Sequence, residues 1–174
     1  MHLHVCSLSR LADTVEATGA RHVVTLINAA TPVARPTVIA PEDHLFLGMN
    51  DIVTPMEGYE APGETHVREL LSFAERWWAE GTRATPLVVH CWAGISRSTA
   101  GAFVAACALN PHRNEAHLAD LIRERSPSAT PNRRIVAIAD DIMGRKGRMV
   151  EAIDAIGRGA DSFEGVPFHI ALEA

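Results

Sequence analysis

The chain has 174 residues, 47% of them apolar and 21% charged, with a formal net charge of -5. That is enough to bury one core, short for two domains, and too apolar and too mildly acidic for a disordered segment or a basic nucleic-acid binder. No apolar run approaches the roughly 20 residues of a membrane span. The opening MHLHVCSLSRL lacks the basic-then-apolar build of a secretory leader, so a soluble cytoplasmic protein with no membrane or nucleic-acid partner is expected.

In chain order, residues 3–8 (LHVCSL) carry a first strand signal, and RLADTVEATGA from Arg10 has a helical pattern ended by Gly19. Residues 22–28 (HVVTLIN) are β-branched and almost continuously apolar, as in a strand covered on both faces. Strand, helix and strand in succession predict an α/β domain with a central mixed, partly parallel sheet flanked by helices. Pro32, Pro36 and Pro41 interrupt regular structure, HLFLGM restores a strand at residues 44–49, and residues 50–64 form a long Gly- and Pro-containing loop. In residues 65–81, Val67, Leu70, Leu71, Ala74 and Trp78 recur at helical spacing with Gly81 as the stop. Trp77 and Trp78 belong to helix packing and not to a base-stacking platform, because no basic stripe accompanies them.

Residues 86–91 (PLVVHC) are the cleanest strand signal, and the turn WAGIS separates them from a helical run, RSTAGAFVAACAL, that starts at Arg97. A further helix is expected over about residues 115–125 with Asn114 as its cap. Another begins at Thr130 as N-cap with Pro131 in the first helical position, and carries Ile135, Val136, Ile138 and Ala139 on its apolar face. Gly144 and Gly147 interrupt that pattern, VEAIDAI adds a short helix, and SFEGVPFHIAL at residues 162–172 fits a packed extended segment or a loop.

The chemistry concentrates between residues 90 and 98. A tight loop entering a helix turns backbone N–H groups inward, and the helix terminus adds positive potential, which together make an anion site. Gly94 supplies a backbone conformation that side chains disfavour, Ala93 and Ser96 keep the loop compact, and Arg97 can return a planar guanidinium to two oxygens of the anion. Cys91 lies at the base of this loop, where positive surroundings favour the thiolate, the nucleophilic form. Cys6, Cys91 and Cys107 form no close Cys-x-x-Cys pair, so neither a disulfide framework nor a zinc knuckle is indicated.

The string His90-Cys91-Trp92-Ala93-Gly94-Ile95-Ser96-Arg97-Ser98 resembles the signature of the protein tyrosine phosphatase superfamily, His-Cys, five residues, Arg, then Ser or Thr. Chain length and element order resemble its compact dual-specificity branch over about residues 1–143, within one domain of residues 1–174 whose C-terminal extension has no assigned role. The resemblance implies a phosphate-binding loop made of Cys91, Trp92, Ala93, Gly94, Ile95, Ser96 and Arg97. It further implies a phosphocysteine intermediate on Cys91, an Arg97 clamp, assistance to the leaving thiolate from Ser98, and support of the loop by His90. It requires no cofactor and no metal. The implied substrate is a phosphorylated protein, phosphotyrosine first with dual specificity open, or a small phosphate monoester.

Expelling an oxygen leaving group needs a proton, and activating water needs one removed. In the family an aspartate on a loop upstream of the cysteine does both, and Asp51 in GMNDIVTPMEG stands at that place, with Asp43 as the alternative and Glu57 and Glu60 weaker. SPSATPNRR resembles the segment in which an asparagine after a proline supports the phosphate loop, here Asn132, although Arg133-Arg134-Ile135 replaces the family's continuation. Arg133 and Arg134 fit either an acidic-substrate site or solvated surface charge, and Trp92 fits either packing behind the loop or the pocket wall. His2, His4, His44, His66, His112 and His117 show no clustered metal spacing. The loop contains no lysine, which disfavours highly charged inositol phosphates. Two rival readings stand beside the phosphatase: a silent phosphoprotein-binding module that keeps the pocket, and a rhodanese-like sulfurtransferase, whose loop also cradles an anion.

Overall fold

Short β-branched segments pair into a sheet whose strands are β1 (His2–Ser7), β2 (His22–Ile27), β3 (His44–Gly48), β4 (Leu87–Cys91) and β5 (Phe168–Ala171). The computed structural model describes residues 1–80 and 85–172. Strand order is β3-β2-β4-β1-β5, parallel throughout except for β5, which pairs antiparallel with β1. β2 and β4 are buried along their whole length, which is why HVVTLI and LVVHC show no polar alternation.

Six helices, α1 (Leu11–Thr18), α2 (Glu64–Ala79), α3 (Arg97–Leu109), α4 (Glu115–Arg125), α5 (Arg133–Ile142) and α6 (Arg148–Ile156), flank the sheet in this single-domain α/β fold. α3 is central. Every residue from Arg97 to Cys107 is buried, and Gly101 brings the helix against Leu26 and Val89 of the sheet, where a Cβ would stand 3.2 and 3.3 Å from their methyl carbons. The main apolar core joins α2, α3, α4 and α5 to Met149 and Ile153 of α6 and Phe168 and Ile170 of β5, so the C-terminal segment shares the core with the rest. Among the described residues no helix is long and apolar enough to cross a membrane.

Several boundaries differ from expectation. Leu8 leaves β1 and opens a one-turn 3-10 segment ahead of α1, which ends at Gly19 in the left-handed conformation with φ 67°. On α2 the fully buried tryptophan is Trp77 and not Trp78, because Trp77 continues the stripe from Ala74 and donates its indole N–H to the Thr85 carbonyl at 3.2 Å. The expected stop at Gly81 lies outside the described residues. The cap of α5 is Asn132 and not Thr130: its side-chain oxygen accepts from the N–H groups of Arg134 and Ile135 at 3.1 and 3.2 Å, which a residue two positions earlier cannot reach. The two-way reading of the tail resolves by segment, with an irregular stretch before residue 168 and a sheet strand after it.

Candidate active site

Cys91 is the last residue of β4, and Ser7 of β1 is its register partner, so both side chains emerge at the carboxyl end of the parallel strands. That edge is where open α/β sheets collect ligands. The chain then turns through residues 92–96 into α3. Gly94 takes φ 72°, and a Cβ there would stand 2.9 Å from the Cys6 carbonyl carbon and the Ser7 nitrogen, so glycine is required on both counts.

Four of the loop's carbonyls are tied to neighbouring parts of the chain. Leu8 N–H donates to Trp92 O at 3.1 Å, Gly165 N–H to Ala93 O at 2.8 Å, Thr130 N–H to Ile95 O at 2.9 Å and Asn132 N–H to Ser96 O at 3.3 Å. A peptide plane whose carbonyl faces out turns its N–H edge in, which builds the anion cradle from its back side. Gly94 N–H points at Cys91 Sγ at 3.3 Å, and Ser98 Oγ lies 3.1 Å from the same sulfur. Cys91 itself is buried.

Arg97 is buried too, and its guanidinium donates from one terminal nitrogen to Asn28 Oδ1 and to Met49 O, both at 2.7 Å. Its Nε–H has no hydrogen-bond partner, and among the described residues no carboxylate pairs with it. A buried cation bound only to neutral acceptors lacks its counter-ion, and an oxyanion on the loop would supply it.

Asp51 follows β3 and its Oδ1 accepts from Ser96 Oγ and from Asn132 Nδ2, each at 2.7 Å. The loop that carries it is closed at its base by Asn50 and Glu60, whose backbones bond at 2.7 Å, and Arg134 donates to Pro62 O at 2.6 Å just beyond. Asp43 precedes β3 and so sits at the opposite end of the sheet from Cys91, beside His22 and Arg76. There His22, Asp43 and Glu80 bring three ligand atoms within 4.8 Å of one another, but Arg76 lies 3.7 Å from Asp43 and 3.3 Å from Glu80, so both carboxylates already face a cation. Glu57 and Glu60 are exposed on the Asp51 loop. Arg133 pairs with Asp154 of α6 at 3.0 Å on the surface, and Arg134 donates to the neutral Pro62 carbonyl. Trp92 is 57% exposed, so its ring is not packed away behind the loop, and it lines a cleft with Leu8 and Phe163.

Behind Cys91, His90 Nε2 lies 2.6 Å from Thr25 Oγ1, which lies 2.7 Å from His44 Nε2. One hydroxyl hydrogen serves two rings, so Thr25 donates to one and accepts from the other, and the two neutral histidines hold opposite states at Nε2. Burial pushes His90 down to about 4, offset in part by a backbone hydrogen bond at Cys91, and burial lowers His44 as well. Thr25, His44 and Asn28 were not legible as site residues, although a threonine inside the apolar run HVVTLI is the kind of buried polar group that needs a partner.

A pH dependence of stability follows. The unfolded His90 ring takes up a proton below its ordinary 6.5 while the folded one resists until about 4, so the unfolded state binds more protons in that window. Stability is complete above pH 6.5 and falls as pH drops toward 4, by about 3 kcal/mol from this group. His4, also lowered to about 4 by burial, acts in the same direction. Urea unfolding at about pH 7 and about pH 4.5 should show the loss, and His90→Asn should shrink it; an unchanged difference in that variant would remove His90 as its source.

No protein-family model matches the chain, and no curated protein matches it. Solved structures do match in fold. Cydia pomonella PTP-2 phosphatase aligns over 80% of this chain and 84% of its own at 18% identity with a TM-score of 0.61. Human DUSP28 aligns over 88% and 94% at 18% identity and 0.59, and PTPMT1 in complex with PI(5)P over 88% and 92% at 14% identity and 0.59. The chain therefore has the fold of compact dual-specificity and tyrosine phosphatases.

Proposed function

We propose that this chain is a cysteine-dependent phosphatase for phosphate monoesters on proteins, phosphotyrosine first. The observation that carries the reading is the conjunction of Cys91 Sγ, met by Gly94 N–H and Ser98 Oγ, with a buried Arg97 whose Nε–H is unpartnered. Phosphate held by the inward N–H groups and the Arg97 fork presents its phosphorus to the sulfur. The Cys91 thiolate forms the S–P bond as the P–O bond to the leaving group breaks, and Asp51, protonated, gives that oxygen its proton.

In the second step Asp51, now ionised, takes a proton from water as its oxygen attacks phosphorus. The S–P bond breaks, inorganic phosphate leaves, and Ser98 Oγ–H stabilises the departing thiolate. Asn132 holds Asp51 against Ser96 and ties its own backbone to the loop, while His90 holds the strand end beneath Cys91. The reaction consumes only water and needs no cofactor. Three free cysteines suit a reducing, cytoplasmic setting. We read the tail beyond residue 143 as part of this one domain, a reading supported by its helix and strand sharing the main core.

Phosphate release from p-nitrophenyl phosphate and from phenyl phosphate tests the reading. Both should be hydrolysed by the wild type, and Asp51→Asn should slow phenyl phosphate by about 10²-fold or more while slowing the better leaving group much less. Equal loss on both substrates would sink Asp51 as the proton donor, and no release by folded wild type would sink the phosphatase.

A further inference from the structure

The segment after α6 does more than complete the sheet. Gly159 N–H donates to Thr130 Oγ1 at 3.0 Å, Ala160 N–H to Pro127 O at 2.9 Å, and Gly165 N–H to Ala93 O of the phosphate loop at 2.8 Å. The Glu164 carboxylate accepts from the hydroxyls of Ser7 and Ser9. A Cβ on Gly165 would stand 2.7 Å from Gly94 O, so the backbone lies directly on the loop. The chain is pinned on both sides of Phe163, yet Phe163 is 90% exposed, next to a Trp92 that is 57% exposed. An aromatic ring held out into water beside a binding loop forgoes its burial free energy until something covers it.

Leu8, Ser9, Trp92, Ala93, Phe163 and Glu164 enclose a cleft of about 200 Å³. Its walls are apolar, it has no lysine or arginine, and its single charged group is the Glu164 carboxylate, already engaged by Ser7 and Ser9. A second phosphate or an acidic side chain would meet that carboxylate and, among the lining residues, no cation; Arg10 acts on Glu164 from outside the lining. Trp92 and Ala93 directly follow Cys91, so the cleft is continuous with the phosphate loop, but neither Cys91 nor Arg97 lines it. A cleft that shares Trp92 and Ala93 with the loop but is lined by neither Cys91 nor Arg97 suits a neighbour of the phosphorylated residue and not the phosphorylated ring itself.

We propose that this cleft is a specificity subsite for an aromatic or large aliphatic side chain next to the phosphorylated residue of a protein substrate, with Phe163 as its outer wall. The inference rests on the phosphatase reading. The C-terminal segment thereby sets which phosphoproteins are turned over, by carrying Phe163 to a fixed place against the loop.

The test uses the full chain, wild type and Phe163→Ala, on phosphotyrosine peptides with leucine or serine immediately before or after the phosphotyrosine, and on p-nitrophenyl phosphate, which has no flanking residue. Wild type should favour the leucine peptide in one of the two positions by about tenfold in kcat/KM. Phe163→Ala should lose that preference through KM and keep its kcat on p-nitrophenyl phosphate, and Phe163→Leu should restore part of the preference. A wild type indifferent to the flanking residue, or a Phe163→Ala variant that retains the preference, would overturn the subsite. An equal fall on all substrates would overturn it too, assigning Phe163 to holding the loop. Absence of p-nitrophenyl phosphate hydrolysis by wild type would remove the phosphatase reading beneath it.

Discussion

Replacing Cys91 with serine should lower aryl-phosphate turnover by about 10⁴-fold or more while leaving the fold and the affinity for oxyanions in place. The sulfur sits at the bottom of a loop four of whose carbonyls are held by three other segments of the chain, and none of those bonds involves the Cys91 side chain. Serine is close in size, so the cradle and Arg97 survive, but a hydroxyl ionises far less readily than a thiol and brings no comparable nucleophile. No other thiol can stand in. Burial pushes Cys6 and Cys107 up to about 12, which disfavours the thiolate at both. Turnover under single- and multiple-turnover conditions measures the loss, and calorimetric binding of inorganic phosphate to the variant measures what is retained. Residual turnover within tenfold of wild type would mean that phosphorus never bonds to sulfur. Persulfide formation on Cys91 from thiosulfate, without phosphate release by wild type, would move the assignment to sulfur transfer.

The strands, the long helices and the turn from Cys91 into α3 were legible because each is encoded locally. PLVVHC and HVVTLI are almost continuously apolar, and HCWAGISRS combines a strand end, an obligatory glycine and a returning arginine within nine positions. What was not legible is long-range. Nothing near Arg97 in the chain announces that Asn28 and the Met49 carbonyl, from the ends of two other strands, take one of its nitrogens. The choice between Asp51 and Asp43 was open because both flank the same short strand, and only the parallel register with β4 puts one near Ser96 and the other at the far end. With Pro131 in the first helical position Asn132 falls second in α5 and is read as loop support, whereas it caps the helix with its oxygen and holds Asp51 with its nitrogen, two uses of one amide. The tail was ambiguous because FEGVPF has no periodicity. Its place is set by a glycine backbone meeting another glycine backbone, Gly165 against Gly94, a contact that no side-chain pattern records.

Replacing Arg97 with lysine should lower kcat/KM for aryl phosphates by about 10²- to 10³-fold, with KM and kcat both affected. The guanidinium performs two tasks at once. One terminal nitrogen is held by Asn28 Oδ1 and Met49 O, which fixes the plane of the group, and Nε–H is left without a partner in a buried position. A single ammonium cannot bond those two acceptors and also present two parallel donors to an anion, so lysine either abandons the acceptors or the phosphate. The same arrangement makes a prediction about stability. In the free protein Arg97 is a buried charge with neutral partners, so Arg97→Met removes a costly buried charge but leaves the Asn28 and Met49 oxygens without their donor; the variant should lose no more than about 3 kcal/mol of stability while losing phosphate binding. Thermal unfolding with and without inorganic phosphate separates the two effects: phosphate should raise the Tm of wild type and leave that of Arg97→Met unchanged. A phosphate-dependent rise that persists in Arg97→Met would show that the backbone cradle alone binds the anion, and that the buried guanidinium is kept for the architecture of the β2 and β3 strand ends.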